Sequence, residues 1–299
     1  MTAESVPRTN PVPRTATVSC VLISKNERAL RVTLDAIRPH LGRAVDEVIV
    51  VDASAGNLED IRDTCEWVRW IPFNGPPGRV TIPHQRNLGV REATGEIVMF
   101  IDAGCLPGPG WPDALLRPII DGTETVTCGP SSIANATSPN MLINSEGYAR
   151  EWATINLAFR RDAFERVGGF DERFDYGSDV DFTWRLNDAG LRIRYVAEAG
   201  LDHDWGDFRR RMRRGFVYGV ARARLYKKHP RRLRRILVED PIHAIYPVYL
   251  LGLPLTLKFR WYPLLLLIPL WHNRWRADIV LEHLVDGCGV LRELGRSRG

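Results

Sequence analysis

Three apolar, mostly β-branched runs constrain this chain most, because each ends on a polar or acidic side chain followed by a turn. "TVSCVLIS" (17–24) ends on Ser24, "VDEVIVVDAS" (45–54) carries Asp52 near its end, and "EIVMFID" (96–102) ends on Asp102. Near-continuous hydrophobic runs belong to strands buried on both faces, the habit of parallel sheets. Between them lie segments of helical spacing. One carries Leu30, Leu34, Ile37 and Leu41; another is the amphipathic "LEDIRDTCEWV"; a third, "PHQRNLGVREAT", is closed by Gly95. "VRWIPF" (68–73) reads as one more short strand. Strands alternating with helices predict a parallel α/β sheet that receives ligands at the strand C-terminal ends. Asp52 and Asp102 would both stand on that edge.

The second half reads differently. "NLAFRRDAFERVGGF" joins a strand to a short helix and a Gly-Gly turn, and "GSDVDFTWRLNDAG" is a helix start. Ser178 can cap that helix, Asp179 and Asp181 occupy its first turn, and Gly190 follows its end. Two residues apart on a helix, the acids point in different directions, so only one can face a cleft. "RIRYVAEAGLDHDWG" (192–206) reads as a strand running into a loop that carries His203. No Gly-rich phosphate loop follows the first strand, which argues against a nucleotidyltransferase on a similar sheet.

Four pieces stand in a fixed order: "ISKNE", "VVDAS", "QRNLGVREATGEIVMFIDAG" and "NLAFRRDAFERVGGFDERFDYGSDVDFTWRL". In that order they resemble the family 2 glycosyltransferases of GT-A fold, from about Val18 to Trp205. The resemblance implies a Rossmann-like, mixed but mostly parallel sheet with helices on both faces. It implies an inverting transfer of a hexosyl or deoxyhexosyl group from a nucleotide-diphosphate sugar to a hydroxyl. Asp52 matches the acid that recognises the base, and Asp102 the first acid of the DXD motif. Asp179 matches the catalytic base. Ser24, Glu27, Arg86 and Asn87 fall on the donor side, while Trp111, Asn156 and Trp184 are acceptor-side candidates. His203 resembles a late histidine that completes the metal shell in some members.

The motif departs from the family at Gly104, where members commonly carry the second acid. A hard cation takes several oxygens and often keeps water and substrate phosphates as ligands. Asp102, His203 and a diphosphate could still assemble a Mn²⁺ or Mg²⁺ site, the imidazole favouring Mn²⁺. Taken alone, Asp102 fits equally a turn aspartate accepting backbone N–H groups. The missing acid also leaves open a non-catalytic, membrane-bound sugar-nucleotide binder.

Charge sets the tail apart. The net charge is +5, yet thirteen of the 41 basic residues lie between Arg209 and Arg235, leaving 28 against 36 acids elsewhere. No nucleic-acid motif accompanies the run, so a nucleic-acid partner is not expected. It is followed by two apolar segments, Ala244–Leu257 and Trp261–Trp271. Neither reaches the ~20 residues of a spanning helix. Pro247, Pro254, Pro263 and Pro269 interrupt them, and Lys258 and Arg260 separate them. Basic residues and interface-seeking tryptophans predict an in-plane, monotopic hairpin on an anionic membrane surface. An apolar arm used for homodimerisation is the alternative.

Five cysteines without CxxC spacing point to a reducing compartment. The expected organisation is a flexible leader (1–16), a GT-A domain (17–206) and a helical membrane-associating region (207–299). The expected place is the cytoplasmic, inner face of the cell membrane. There the chain would glycosylate a lipid-linked or amphipathic acceptor. Truncation after Arg235 is expected to leave the α/β domain folded.

Overall fold

A computed structural model describes residues 16–75, 81–132, 143–203 and 206–296. The expected leader lies outside these residues, except for Ala16, which is buried. The chain divides into two compact units. The first holds residues up to Pro77, His84–Phe170 and Phe182–His203; the second holds Gly78–Pro83, Asp171–Asp181 and everything from Asp204 onward.

The first unit opens with β1 (Val18–Ser24), α1 (Leu30–Ile37), β2 (Glu47–Asp52), α2 (Glu59–Thr64) and β3 (Arg69–Pro72). Next come α3 (Ile82–Glu92), β4 (Ile97–Ile101), β5 (Cys105–Pro107), α4 (Trp111–Ile120), β6 (Val126–Cys128) and β7 (Ser131–Ser132). It closes with β8 (Tyr148–Ala149), β9 (Asn156–Arg160), α5 (Arg161–Val167), α6 (Ser178–Asp188), β10 (Ile193–Tyr195) and β11 (Leu201–His203). The main sheet runs β3-β2-β1-β4-β9-β6-β10-β8. Its first four strands are mutually parallel, while β9 is antiparallel to both β4 and β6, so the sheet is mixed.

The apolar runs explain that sheet. Every residue of β4 is buried, as are Val48–Val51 of β2. Gly89 lets α3 lie directly on β1: a Cβ there would come within 2.4 Å of the Val21 side chain. The core is completed by rings that alternate across sheet and helices. Phe159 of β9, Phe170 and Phe182 of α6 meet with centroids 4.5 to 5.4 Å apart. Such contacts add ~0.5–1.5 kcal/mol beyond area burial. A second, three-stranded sheet, β5-β11-β7, follows the loop that carries Asp102. His203 therefore ends a strand rather than sitting in a loop. The difference arises because β5, too short to read from sequence, offers β11 an antiparallel partner.

The second unit contains α7 (Phe208–Lys228), α8 (Ile236–Glu239), α9 (Ile242–Leu251), α10 (Leu267–His272) and α11 (Ala277–Leu294). Its helices α7 and α11 cross closely enough to demand glycine. A Cβ on Gly219 would meet the Asp286 carbonyl at 2.0 Å, and one on Gly289 the Phe216 carbonyl at 2.1 Å. The basic run is correspondingly not a bare charged strip. Arg211 pairs with Asp278, Arg222 with Asp240, Arg224 with Asp175, and Lys227 with Glu293. Cutting after Arg235 would remove α11 and uncover the face of α7 that packs on it. Residues 171–181, which the sequence places in the GT-A domain, group with this helical unit through ion pairs to α7.

At the centre of the unit, buried His243 sets Nδ1 2.5 Å from Asp240 and Nε2 3.1 Å from Asp286. Burial pulls the imidazole's pKa down, but the two carboxylates outweigh it and hold it above the ordinary 6.5. Protonated, both ring nitrogens donate, linking α9 to α11. A raised folded-state pKa gives stability that is complete below about pH 6.5 and lost as pH climbs through the raised value. The melting temperature should accordingly fall from pH 6.5 towards 9. His243→Gln should lower it at pH 6 and flatten the slope; an undiminished slope would assign the effect to other groups.

Candidate functional site

The C-terminal edge of the parallel strands collects three of the residues expected on the donor side. Ser24 pairs with Asp52 at the ends of β1 and β2, and Asp102 is the first residue beyond β4, which also pairs with β1. Ser24 is buried, and its Oγ has no hydrogen-bond partner among the described residues. A buried hydroxyl left unsatisfied is costly, and a ligand at the strand end would satisfy it. Asp52 is half-buried and accepts from the Ser54 amide at 2.9 Å, a turn that holds its carboxylate at the edge.

The loops after β1 and β2 are tied together in front of these residues. Asn26, with φ of 60°, donates its amide to Ser54 Oγ at 2.7 Å, and Asn57 Nδ2 donates to Asn26 Oδ1 at 2.8 Å. Arg28 forms a two-pronged bond to Asp60 at 2.6 and 2.5 Å. Glu27 Oε1 accepts from the Ala29 amide at 3.4 Å and so supports the entry to α1. The ties between the two loops escape sequence reading because they join residues 28 to 32 positions apart.

The loop that carries Asp102 leads into β5, whose first residue pairs with His203 from a distant part of the chain. Cys105, three residues past Asp102, pairs in register with His203. Cys105 Sγ lies 3.6 Å from His203 Nδ1, orienting the ring. Burial, reinforced by the Asp102 charge, pushes the Cys105 thiol far above its ordinary pKa, so it is a neutral neighbour rather than a thiolate ligand. Between Asp102 and Cys105, Gly104 takes φ of +88°, and a Cβ there would sit 3.9 Å from His203 Nδ1. The position usually held by the second acid thus lies against the histidine. Among the described residues, no group of three or more His, Cys, Asp or Glu is disposed to hold a metal.

Five expected contact residues are buried within the fold. Asn87 is buried, donating to the Phe170 carbonyl and accepting from the Phe170 amide, both at 2.9 Å. It pins the Gly-Gly-Phe turn. Arg86, also buried, lies over the Phe170 ring at 5.6 Å. Trp111 is fully buried and donates to Asn156 Oδ1 at 2.9 Å, so it cannot stack on a sugar. Asn156 is buried too, donating to the carbonyls of Pro130 and Ala199. Trp184 is 3% exposed and bonded through Nε1 to Glu151. The indoles fill the core because their large apolar area outweighs the single polar atom that each must satisfy.

The two acids of the α6 first turn differ sharply. Asp181 is wholly buried, 2.6 Å from Lys228 Nζ and 2.9 Å from His229 Nε2. Asp179 is half-buried and accepts from the Val180 amide. Lys228 and His229 had no signal in the sequence beyond a basic run.

The pattern of glycosyl transferase family 2 matches residues 19–172, and that of glycosyl transferase family group 2 matches residues 137–281. The chain belongs to glycosyl transferase family 2. Within the family, the pre-mycofactocin glycosyltransferase of Mycobacterium tuberculosis is 29% identical over 172 residues, covering 52% of this chain and 37% of that protein. The chain thus spans little more than a third of that relative's length. The mannosyltransferase of Pyrobaculum calidifontis, solved with GDP-Man and Mn²⁺, matches with a TM-score of 0.60 at 19% identity, covering 96% of this chain and 89% of that one. Glucosyl-3-phosphoglycerate synthase from M. tuberculosis, solved with Mn²⁺, UDP and glucosyl-3-phosphoglycerate, gives 0.53 at 20% identity over 71% and 80%. These likenesses establish the GT-A fold of this family 2 member.

The left-handed backbone at Gly104 makes its replacement strained whatever the space. Gly104→Ala should cost about 1–2 kcal/mol of unfolding free energy. Chemical denaturation measures it directly; wild-type stability would mean that the loop relaxes. Any Gly104→Asp variant made to restore the second acid must be compared with that alanine control.

Proposed function

We propose that this chain is an inverting glycosyltransferase that moves a sugar from a nucleotide-diphosphate sugar to a hydroxyl. The observation that carries the reading is the strand-end edge, where the orphan hydroxyl of Ser24, Asp52 and Asp102 stand on adjacent parallel strands. Asp52 would read the nucleoside, and Asp102 would serve the sugar and diphosphate. Together with His203, Asp102 would hold a Mn²⁺ or Mg²⁺ ion shared with the diphosphate. When bound, that ion would neutralise the departing charge. Asp179 would take the acceptor proton, its ionised form favoured by the helix N-terminus.

Asp179→Asn should leave donor affinity unchanged while lowering turnover by ~10²–10⁴, the range of a lost general base. Calorimetry and release of nucleoside diphosphate from UDP-glucose and GDP-mannose separate the two effects. Turnover equal to wild type would remove Asp179 from the mechanism. A wild type that binds a sugar nucleotide but never turns it over would instead be the non-catalytic binder.

The acceptor is proposed to be lipid-linked or amphipathic, met at an anionic membrane surface on the cytoplasmic side. Support comes from residues 237–275, where Val238, Leu257 and Trp271 are 82%, 93% and 70% exposed and Trp261 and Trp275 lie beside arginines. Among the described residues, no helix is long and apolar enough to cross a membrane. An apolar surface of this extent calls for a covering partner. Full-length protein should float with vesicles containing phosphatidylserine, more weakly as salt rises. Protein that stays in the soluble fraction at low salt, as a dimer, would assign the patch to self-association.

A further inference from the structure

Asp181 poses a physical problem that helix capping does not answer. An acid in a first turn gains ~0.3–1 kcal/mol from the helix dipole at the surface, whereas complete burial of its charge costs several kcal/mol unless it is paired. Here the side chain is wholly buried, and one oxygen meets both Lys228 Nζ at 2.6 Å and His229 Nε2 at 2.9 Å. Both partners come from the last turn and C-cap of α7.

The same end of α7 holds the whole segment that leads to Asp181. Lys228 Nζ also lies 2.7 Å from Asp171 Oδ2 and 5.3 Å from the Phe174 ring centroid. One ammonium therefore closes residues 171–181 into a ring. Arg224 adds an ion pair to Asp175 at 3.1 Å. Gly177, at φ of +80°, rests on α7, where a Cβ would come within 3.2 Å of Leu225 and 3.3 Å of Ala221. Ser178, Asp179 and Val180 are thus bracketed by two neighbours, Gly177 and Asp181, that are both fixed to α7. The Asp181 amide also bonds the Gly177 carbonyl at 3.0 Å, closing the bracket.

We propose that Asp181, Lys228 and His229 form a positioning clamp through which α7 sets the place and the charge environment of the Asp179 carboxylate. The inference rests on the reading of Asp179 as the base. Asp181 itself touches no substrate, since its charge is spent inside the unit. The clamp makes a specific electrical prediction. The groups around it are Asp171, Asp175, Arg173, Arg224, Lys228 and His229. Removing the lysine leaves uncompensated negative charge on Asp171 and Asp181 in the segment that carries Asp179, and removing the Asp181 charge leaves excess positive charge there.

The test uses full-length protein and release of nucleoside diphosphate from UDP-glucose and GDP-mannose, with water as acceptor. In Lys228→Met the acid limb of the pH–rate profile should move up by about half a pH unit or more, and in Asp181→Asn it should move down. Lys228→Arg should restore the wild-type position, and donor affinity should hold in all three. A purely structural role would lower stability in both variants without opposite shifts, and that result overturns the clamp. His229→Gln, the milder change, guards against loss of folding.

A second measurement stands apart from activity. Hydrogen exchange in a peptide spanning 171–186 should quicken at least tenfold in Lys228→Met and His229→Gln, but not in Lys228→Arg. Unchanged exchange also overturns the proposal. Asp179→Asn, run alongside, keeps the two readings distinct. If it abolishes turnover while the limbs stay put, the base stands and the clamp fails. If it turns over normally, the base assignment fails.

Discussion

Parallel pairing of β1 with both β2 and β4 decides where chemistry can occur in the sheet-bearing unit. Parallel strands end on the same edge, so the polar residue that closes each run is delivered there without any local design. Ser24 and Asp52 are partners in register, and Asp102 follows one strand over. The register is held by buried side chains of all three strands. A slip of one residue inward would place the Asp52 carboxylate where Val51 is now buried. Donor-side geometry and core packing are therefore one constraint.

That constraint also explains why the loops beyond the edge are so heavily bonded. A strand end delivers a residue but does not orient its side chain. Orientation comes from the Asn26–Ser54 and Asn57–Asn26 bonds and the Arg28–Asp60 fork, all of which cross between the two loops. Gly104 does similar work after β4. Its left-handed backbone turns the chain so that Cys105 can pair with His203. A glycine at the usual position of an acid is thus compatible with the turn and places the histidine against the gap.

The helical unit is governed by a different currency, buried charge. Asp181, Asp240 and Glu293 are each largely withdrawn from water and each meets a cationic side chain, while buried His243 meets two carboxylates. Breaking such a pair by removing one member costs far more than the pair's net worth, because it strands the other. The basic run of α7 therefore has two faces: some cations neutralise acids within the unit, while others, such as Arg209 and Arg213, line the surface near its start. Composition alone could not divide them.

The sequence by itself determined the strand and helix order, the mixed sheet's parallel half and the identity of the edge acids, because those rest on local periodicity and on where each apolar run stops. Ser24, Asp52, Asp102 and the first turn of α6 could be named for that reason. Tertiary structure alone decided which candidates are buried. Trp111, Asn156, Trp184 and Asn87 look like contact residues in a linear chain, yet each is consumed by a hydrogen bond inside the fold. The short strands β5 and β11 had no periodicity to read, so the meeting of Asp102's loop with His203 emerged only with the three-stranded sheet. The resemblance chose Asp179 over Asp181, but the burial of Asp181 had no local signal. Helical spacing says that the two diverge, but only a lysine 47 residues further along the chain says which one is buried. Local patterns encode elements; which polar groups remain for function is settled by long-range pairing, because burial and its electrostatic cost depend on neighbours that sequence distance does not reveal.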